Sequence, residues 1–176
     1  MTSIIKVNNI QNSSGTAAVT IDGNGIITTP QIPAFRVIGP TSALTNQNLT
    51  SGYLDITWWE HSPANAFINN SSDFNTSTGK YTVPVTGKYQ YDINVSFENV
   101  SSGYYSFWMQ INGSHAVTQP FAITDPTAGS AKDTLNHSGL LSLTAGQVIH
   151  WTHKGDPDTS ITFPASFSTW SMYLVG

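Results

Sequence analysis

Cysteine is absent from this chain and charge is scarce. Without a thiol there is no disulfide, no thiolate metal site and no cysteine nucleophile. Charged residues make up 9% of the sequence, against a usual ~25%. Six basic residues form no cluster and the net charge is −4, so the electrostatic footprint of a nucleic-acid or anionic-membrane binder is missing. Glutamate occurs only at Glu60 and Glu98. A mostly helical fold is thereby excluded, since helical surfaces draw on Glu, Lys, Arg and Gln. No apolar run approaches the ~18 residues of a spanning helix. The opening Met1-Thr2-Ser3-Ile4-Ile5-Lys6 lacks the basic and long apolar regions of a signal peptide. The nine Asn-x-Ser/Thr sequons are accordingly expected to stay unglycosylated.

What is abundant is short and polar. Asn, Ser and Thr supply 57 of the 176 residues, and these suit strands and turns rather than helices. Hydrophobic residues at 39% and aromatics at 11% are enough for a sizeable core. The length fits one domain, or one domain with an arm. Residues 1–33 have no aromatics and read as short β-branched runs between Gly/Asn turns, so this arm needs partners, either copies of itself or a foreign surface, the alternative being a loose terminal tail. Pro30 and Pro33 then lead into a head domain, residues 34–176.

The head reads as strand, turn, strand. Tyr89, Tyr91, Ile93, Val95 and Phe97 alternate with Gln90, Asp92, Asn94 and Ser96, the strongest period-2 signal in the chain. Further strands are expected over 34–38, 53–60, 65–68, 79–85, 104–111, 115–123, 132–143, 147–153 and 165–175. Thr86-Gly87, Asn112-Gly113 and Thr144-Ala145-Gly146 turn between them. About ten short strands and no helix pattern predict an all-β, antiparallel sandwich or jelly roll.

The order of motifs carries a resemblance. Pro33-Ala34-Phe35 opens the head, Thr78-Gly79-Lys80-Tyr81-Thr82-Val83-Pro84-Val85 and Gly87-Lys88-Tyr89-Gln90-Tyr91 form its centre, and Phe167-Ser168-Thr169-Trp170-Ser171-Met172-Tyr173-Leu174 closes it. This resembles the globular head of the complement q-subunit, within the tumour necrosis factor-like superfamily. The resemblance implies a ten-stranded jelly roll that associates as a homotrimer. It also implies that Phe35, Phe74, Tyr81, Tyr89, Tyr91 and Phe167 are framework residues of the core or the threefold interface. The arm, Ser3-Ile4-Ile5-Lys6-Val7-Asn8-Asn9-Ile10-Gln11 and the Ser13-Ser14-Gly15-Thr16 that follows, is similar to the openings of bacteriophage fibre and virion-surface proteins. In that setting Ile4, Ile5, Val7 and Ile10 attach the protein to the particle.

Catalytic constellations are thin. His61, His115, His137, His150 and His153 show no metal-ligand spacing on a helix, and they are expected as surface or interface side chains. A Gly-x-Ser-x-Gly elbow and a phosphate loop are both missing. Asp156 and Asp158 share a proline-containing turn whose hard oxygen ligands suit calcium, otherwise no cofactor is expected. Trp108, Trp151 and Trp170 lie within strands and are expected in the core or a trimer interface. Trp58 and Trp59 are adjacent, so an extended chain turns one of them outward, as a platform for a sugar ring.

The expected function is therefore non-enzymatic. It is a trimeric knob anchored by its arm on a phage particle, as a capsid decoration protein or short head fibre contacting virion proteins such as the major capsid protein. The alternative is a receptor-binding tail fibre or lectin head that grips host surface glycans, and a glycoside-acting enzyme ranks last. A pre-head segment of only about 33 residues is short for a fibre shaft and favours a protein seated directly on a surface. The expected location is the virion, after synthesis in the host cytoplasm, with no nucleic-acid partner and no membrane insertion.

Overall fold

A computed structural model of the chain describes residues 7–11, 13–15, 17–28, 32–48, 52–60, 66–70, 72–99, 104–116, 121–124, 132–156 and 160–175. Three short strands come first: β1 (Asn9–Gln11), β2 (Ala17–Ile21) and β3 (Ile27–Thr28). The head continues with β4 (Ala34–Gly39), β5 (Leu44–Asn48), β6 (Leu54–Asp55), β7 (Phe67–Ile68), β8 (Phe74–Asn75) and β9 (Lys80–Thr82). Then follow β10 (Gly87–Phe97), β11 (Tyr104–Ile111), β12 (Ser114–His115) and β13 (Phe121–Thr124). The last are β14 (Asp133–Leu143), β15 (Val148–Gly155), β16 (Ser160–Phe163) and β17 (Ser168–Leu174). The described residues contain no helix.

β10 is the organising strand. Its alternation sends Tyr89, Tyr91, Ile93, Val95 and Phe97 inward and all five are buried, while Lys88 and Asp92 face out. It pairs with β14 on one side, Tyr89 opposite Leu141, and with β17 on the other, Tyr91 opposite Met172. The result is a five-stranded antiparallel sheet in the order β14-β10-β17-β4-β7. Facing it is a seven-stranded sheet with the path β12-β11-β15-β9-β8, to which β13 adds on β11 and β6 on β15. Two antiparallel sheets packed on one core make the expected all-β sandwich of the jelly-roll type.

Aromatic rings fill the space between the sheets. Phe35 lies 4.9 Å from Phe74, 4.6 Å from Tyr81 and 4.9 Å from Trp170, centroid to centroid, within the range of stabilising ring pairs. Trp151 and Trp170 are fully buried, as expected. Of the framework aromatics, Phe35, Phe74, Tyr81, Tyr89 and Tyr91 are core, but Phe167 is exposed and carries the Lys132 ammonium 4.1 Å above its ring.

Several strand boundaries differ from the sequence expectation for identifiable reasons. The 53–60 segment forms a ladder only at Leu54–Asp55. Beyond it, the Ile56 amide donates to the Trp151 carbonyl at 2.8 Å in the seven-stranded sheet, and the Glu60 amide donates to the Ile38 carbonyl at 2.7 Å in the five-stranded one. A stretch that crosses between sheets cannot lie in a ladder of either. β5 and β16 pair with each other as a two-stranded ribbon; Leu44-Thr45-Asn46-Gln47-Asn48 has one apolar residue and so no alternation to reveal it.

Candidate binding surfaces

The crossing of residues 56–60 decides the fate of the two adjacent tryptophans. Trp59 turns inward and is fully buried, 6.0 Å from Trp170, so the expectation that it offers a sugar-stacking face is corrected. Trp58 is half-buried and packs against the core, its ring 4.6 Å from Trp59 and 5.0 Å from Phe163. With Thr57, Trp59, Glu60, Thr76 and Ser77 it lines a depression of about 450 Å³. The Glu60 carboxylate at its rim accepts a hydrogen bond from the Thr41 hydroxyl at 2.9 Å.

Asp156 is exposed, and its carboxylate accepts the Tyr104 amide at 3.1 Å while its own amide donates to the Tyr104 carbonyl at 3.2 Å. It clamps the end of the β11–β15 pair. Asp158 lies outside the described residues, and among the described residues no three His, Asp or Glu side chains gather in a metal-binding group.

The histidines depart furthest from their expected place. His153 lies in the core against Tyr105, Phe107 and Phe163, with Nδ1 3.2 Å from the Tyr105 hydroxyl. Burial drives its pKa down to about 4 and raises that of Tyr105. His150, one residue out of phase, is buried on the opposite, outer side of the sheet. Its Nε2 is 3.2 Å from the Asp55 carboxylate, which also holds Lys80 at 3.0 Å. Burial lowers the His150 pKa, and the Asp55 charge opposes that shift. His137 meets the Tyr91 hydroxyl at 2.9 Å, and burial lowers its pKa as well. His61 falls outside the described residues.

An aromatic trio on the outer face of the seven-stranded sheet was not anticipated. Trp108, expected in the core or an interface, is half-buried and points outward. It stacks on His115 at 4.4 Å, and Tyr53 meets both rings edge-on at 5.6 and 4.6 Å. Its Nε1–H donates to the Ser106 hydroxyl at 3.1 Å. A signal for this was present in the sequence: Tyr105, Phe107 and Met109 share one parity and are buried, and Trp108 has the other. On the five-stranded sheet, Asp92, Asn94, Asn136, Ser138 and Thr169 line a second shallow depression of about 450 Å³, bridged by the Asn94 amide donating to Asn136 at 2.6 Å.

The arm forms a sheet of its own, β1-β2-β3, and among the described residues no ladder joins it to the head. Of the residues expected to attach it, Ile4 and Ile5 lie outside the described residues, and Val7 and Ile10 are exposed.

The sequence profile of the C1q domain matches residues 63–175. Among solved structures, the Eiger TNF of S. frugiperda superposes with a TM-score of 0.57, covering 82% of this chain and 93% of that one at 14% identity. At that identity the likeness is one of fold. No curated protein matches in sequence.

Proposed function

This chain belongs to the C1q domain family, and from that premise we propose that it is a non-enzymatic structural and binding module of a bacteriophage virion. Its heads assemble as a homotrimer, and its arm fastens the knob to the particle as a capsid decoration protein or short head fibre. The observation that carries this reading is the arm: a separate sheet with apolar side chains in the open, joined to a head whose buried core begins only at Phe35. A segment built this way is made for an assembly larger than one chain. Around a closed axis, three arms engage a particle together, so weak individual contacts add through effective concentration. The major capsid protein is the proposed partner, met through the leading residues of the arm, Ile4, Ile5 and Val7 among them.

Deleting residues 1–30 tests the reading directly. The truncated protein should sediment as a soluble trimer at micromolar concentration and fail to bind particles stripped of the native protein. Normal particle binding would remove the arm from the proposal, and a monomer would remove the trimer.

A second reading, a receptor-binding head for host glycans, is favoured by the Trp58 depression with its hydroxyl and carboxylate rim. Specific glycan-array binding abolished by Trp58→Ala would move the function there. Trp59→Ala is unsuited to this test, because that ring is part of the core.

A further inference from the structure

The arm is an organised element. Between β2 and β3 the Asp22 carboxylate accepts the amides of Asn24 at 2.8 Å and Ile26 at 2.9 Å, and the Asp22 amide donates to the Ile26 carbonyl at 3.0 Å. Gly25 takes the left-handed conformation that closes the turn, φ +79°. The register of the three strands then sorts the side chains by face. Ile10 stands opposite Val19, and Ile21 opposite Ile27. Asn9 and Thr20 occupy the other side. Ile10, Val19, Ile21 and Ile27 thus come to one face of the sheet.

Among the described residues this face is only partly covered. Ile10 is 54% and Ile27 65% exposed, Val19 and Ile21 are half-buried, and no described residue of the arm belongs to the buried core. A sheet this small cannot stand with such a face in water. We infer that the face is covered by the same face of two further copies of this chain, the three sheets closing around the threefold axis with Ile10, Val19, Ile21 and Ile27 inward.

The chemistry of the face selects this occupant. It carries no charge and no hydrogen-bonding side chain, so it has nothing with which to recognise a polar surface, and Ile10 is assigned to sister arms rather than to the particle. β-Branched side chains of nearly equal size pack well against copies of themselves. The copies are also delivered to one another. Ile32 is anchored at the head, its carbonyl accepting the Asn69 side-chain amide at 2.8 Å, and Leu174 donates to the Pro33 carbonyl at 3.0 Å. Thr28 is four residues earlier, at most ~14 Å of chain. Three heads held together therefore keep three arms at an effective concentration in the millimolar range. A closed ring of three leaves no apolar face over, whereas a pair of chains out of three would leave one. The polar faces and the open edges of β1 and β3 remain outward for the particle.

The inference rests on the homotrimer proposed above, and its test separates the two. Because the full-length chain is free of cysteine, single cysteines report on chosen sites. Val19→Cys and Ile21→Cys, oxidised or bridged with a short bis-maleimide, should yield covalent dimers on a denaturing gel, in a yield unchanged by tenfold dilution. Thr20→Cys, between them on the polar face, should yield none. No cross-link at 19 or 21 in a protein that sediments as a trimer, or an equal cross-link at 20, overturns the inference and leaves the trimer standing. A monomeric wild-type chain overturns the trimer and the three-sheet closure with it. As a second readout, Ile21→Asn should make the arm at least tenfold faster to proteolyse with no change in the melting of the head. An arm cleaved equally fast in wild type and variant overturns the closure.

Discussion

Head and arm are both antiparallel sheets drawn from the same Asn-, Ser- and Thr-rich composition, yet they bury their apolar faces in opposite ways. Every Trp, Tyr and Phe of the chain lies at or beyond Phe35. In the head these rings reach across from both sheets, so one protomer closes its own core. The strands of the arm draw on Ile, Val and Ala, side chains too short to build a core within one small sheet, and Ile10 and Ile27 stay open. Side-chain size, more than strand propensity, separates a region that folds within the chain from one that needs other copies.

The largest test of that contrast is a pair of truncations. Trp170→Ala should destabilise the head by about 3–5 kcal/mol, the usual effect of emptying a large aromatic site. Ile10→Ala should leave the melting of the head within about 0.5 kcal/mol of wild type. Chemical denaturation followed by tryptophan fluorescence reads both, and comparable losses would mean that arm and head form one cooperative unit.

Acid should sharpen the contrast next. His153 is neutral in the folded head down to about pH 4, whereas in the unfolded chain it takes a proton near pH 6.5. The unfolded state thus binds more protons across that window. Stability is level above pH 6.5, falls as pH drops from 6.5 towards 4, and levels again below, a loss of about 3 kcal/mol from this group. The lowered pKa values of His150 and His137 act in the same direction. His153→Phe should flatten most of the slope in a series of melts from pH 4 to 7. The arm contains no histidine, so its protection from protease should not follow this titration.

The smallest effect compares two glycines. Gly79 and Gly25 both have positive φ, +66° and +79°, but a Cβ at Gly79 would run into the Ile56 carbonyl while one at Gly25 would meet open space. Gly79→Ala should cost the head about 1–3 kcal/mol, and Gly25→Ala only the left-handed penalty of about 1 kcal/mol, confined to the arm. Equal effects on head melting would show that strain, and not the close approach of the two chain segments, dominates at Gly79.

How far the fold was legible depended on the range of the interaction. The alternation from Tyr89 to Phe97 announced β10, whereas the parity of Tyr105, Phe107 and Met109, which would have marked the inward face of β11, was overridden by the expectation that Trp108 is core or interface. The order of glycine, aromatic and Thr-Val-Pro-Val blocks carried the family. The candidate site was less legible. Nothing local distinguishes Trp58 from Trp59, and the choice was made where residues 56–60 cross between sheets. The clustering of Tyr53 with Trp108 and His115 joins three separate stretches of chain, and the pairing of Asp55 with His150 joins two.

The amino-acid sequence by itself determined an all-β chain without cross-links, an arm poor in large side chains and a head rich in them. These follow from composition and from a two-residue period, both local properties. Only the tertiary structure decided which tryptophan is core, that His150 and His153 are both buried, and that Ile10, Val19, Ile21 and Ile27 come to one face of the arm. Each of those depends on strand register and on which sheet lies opposite, and such pairings link residues far apart in the chain that carry no mark of one another.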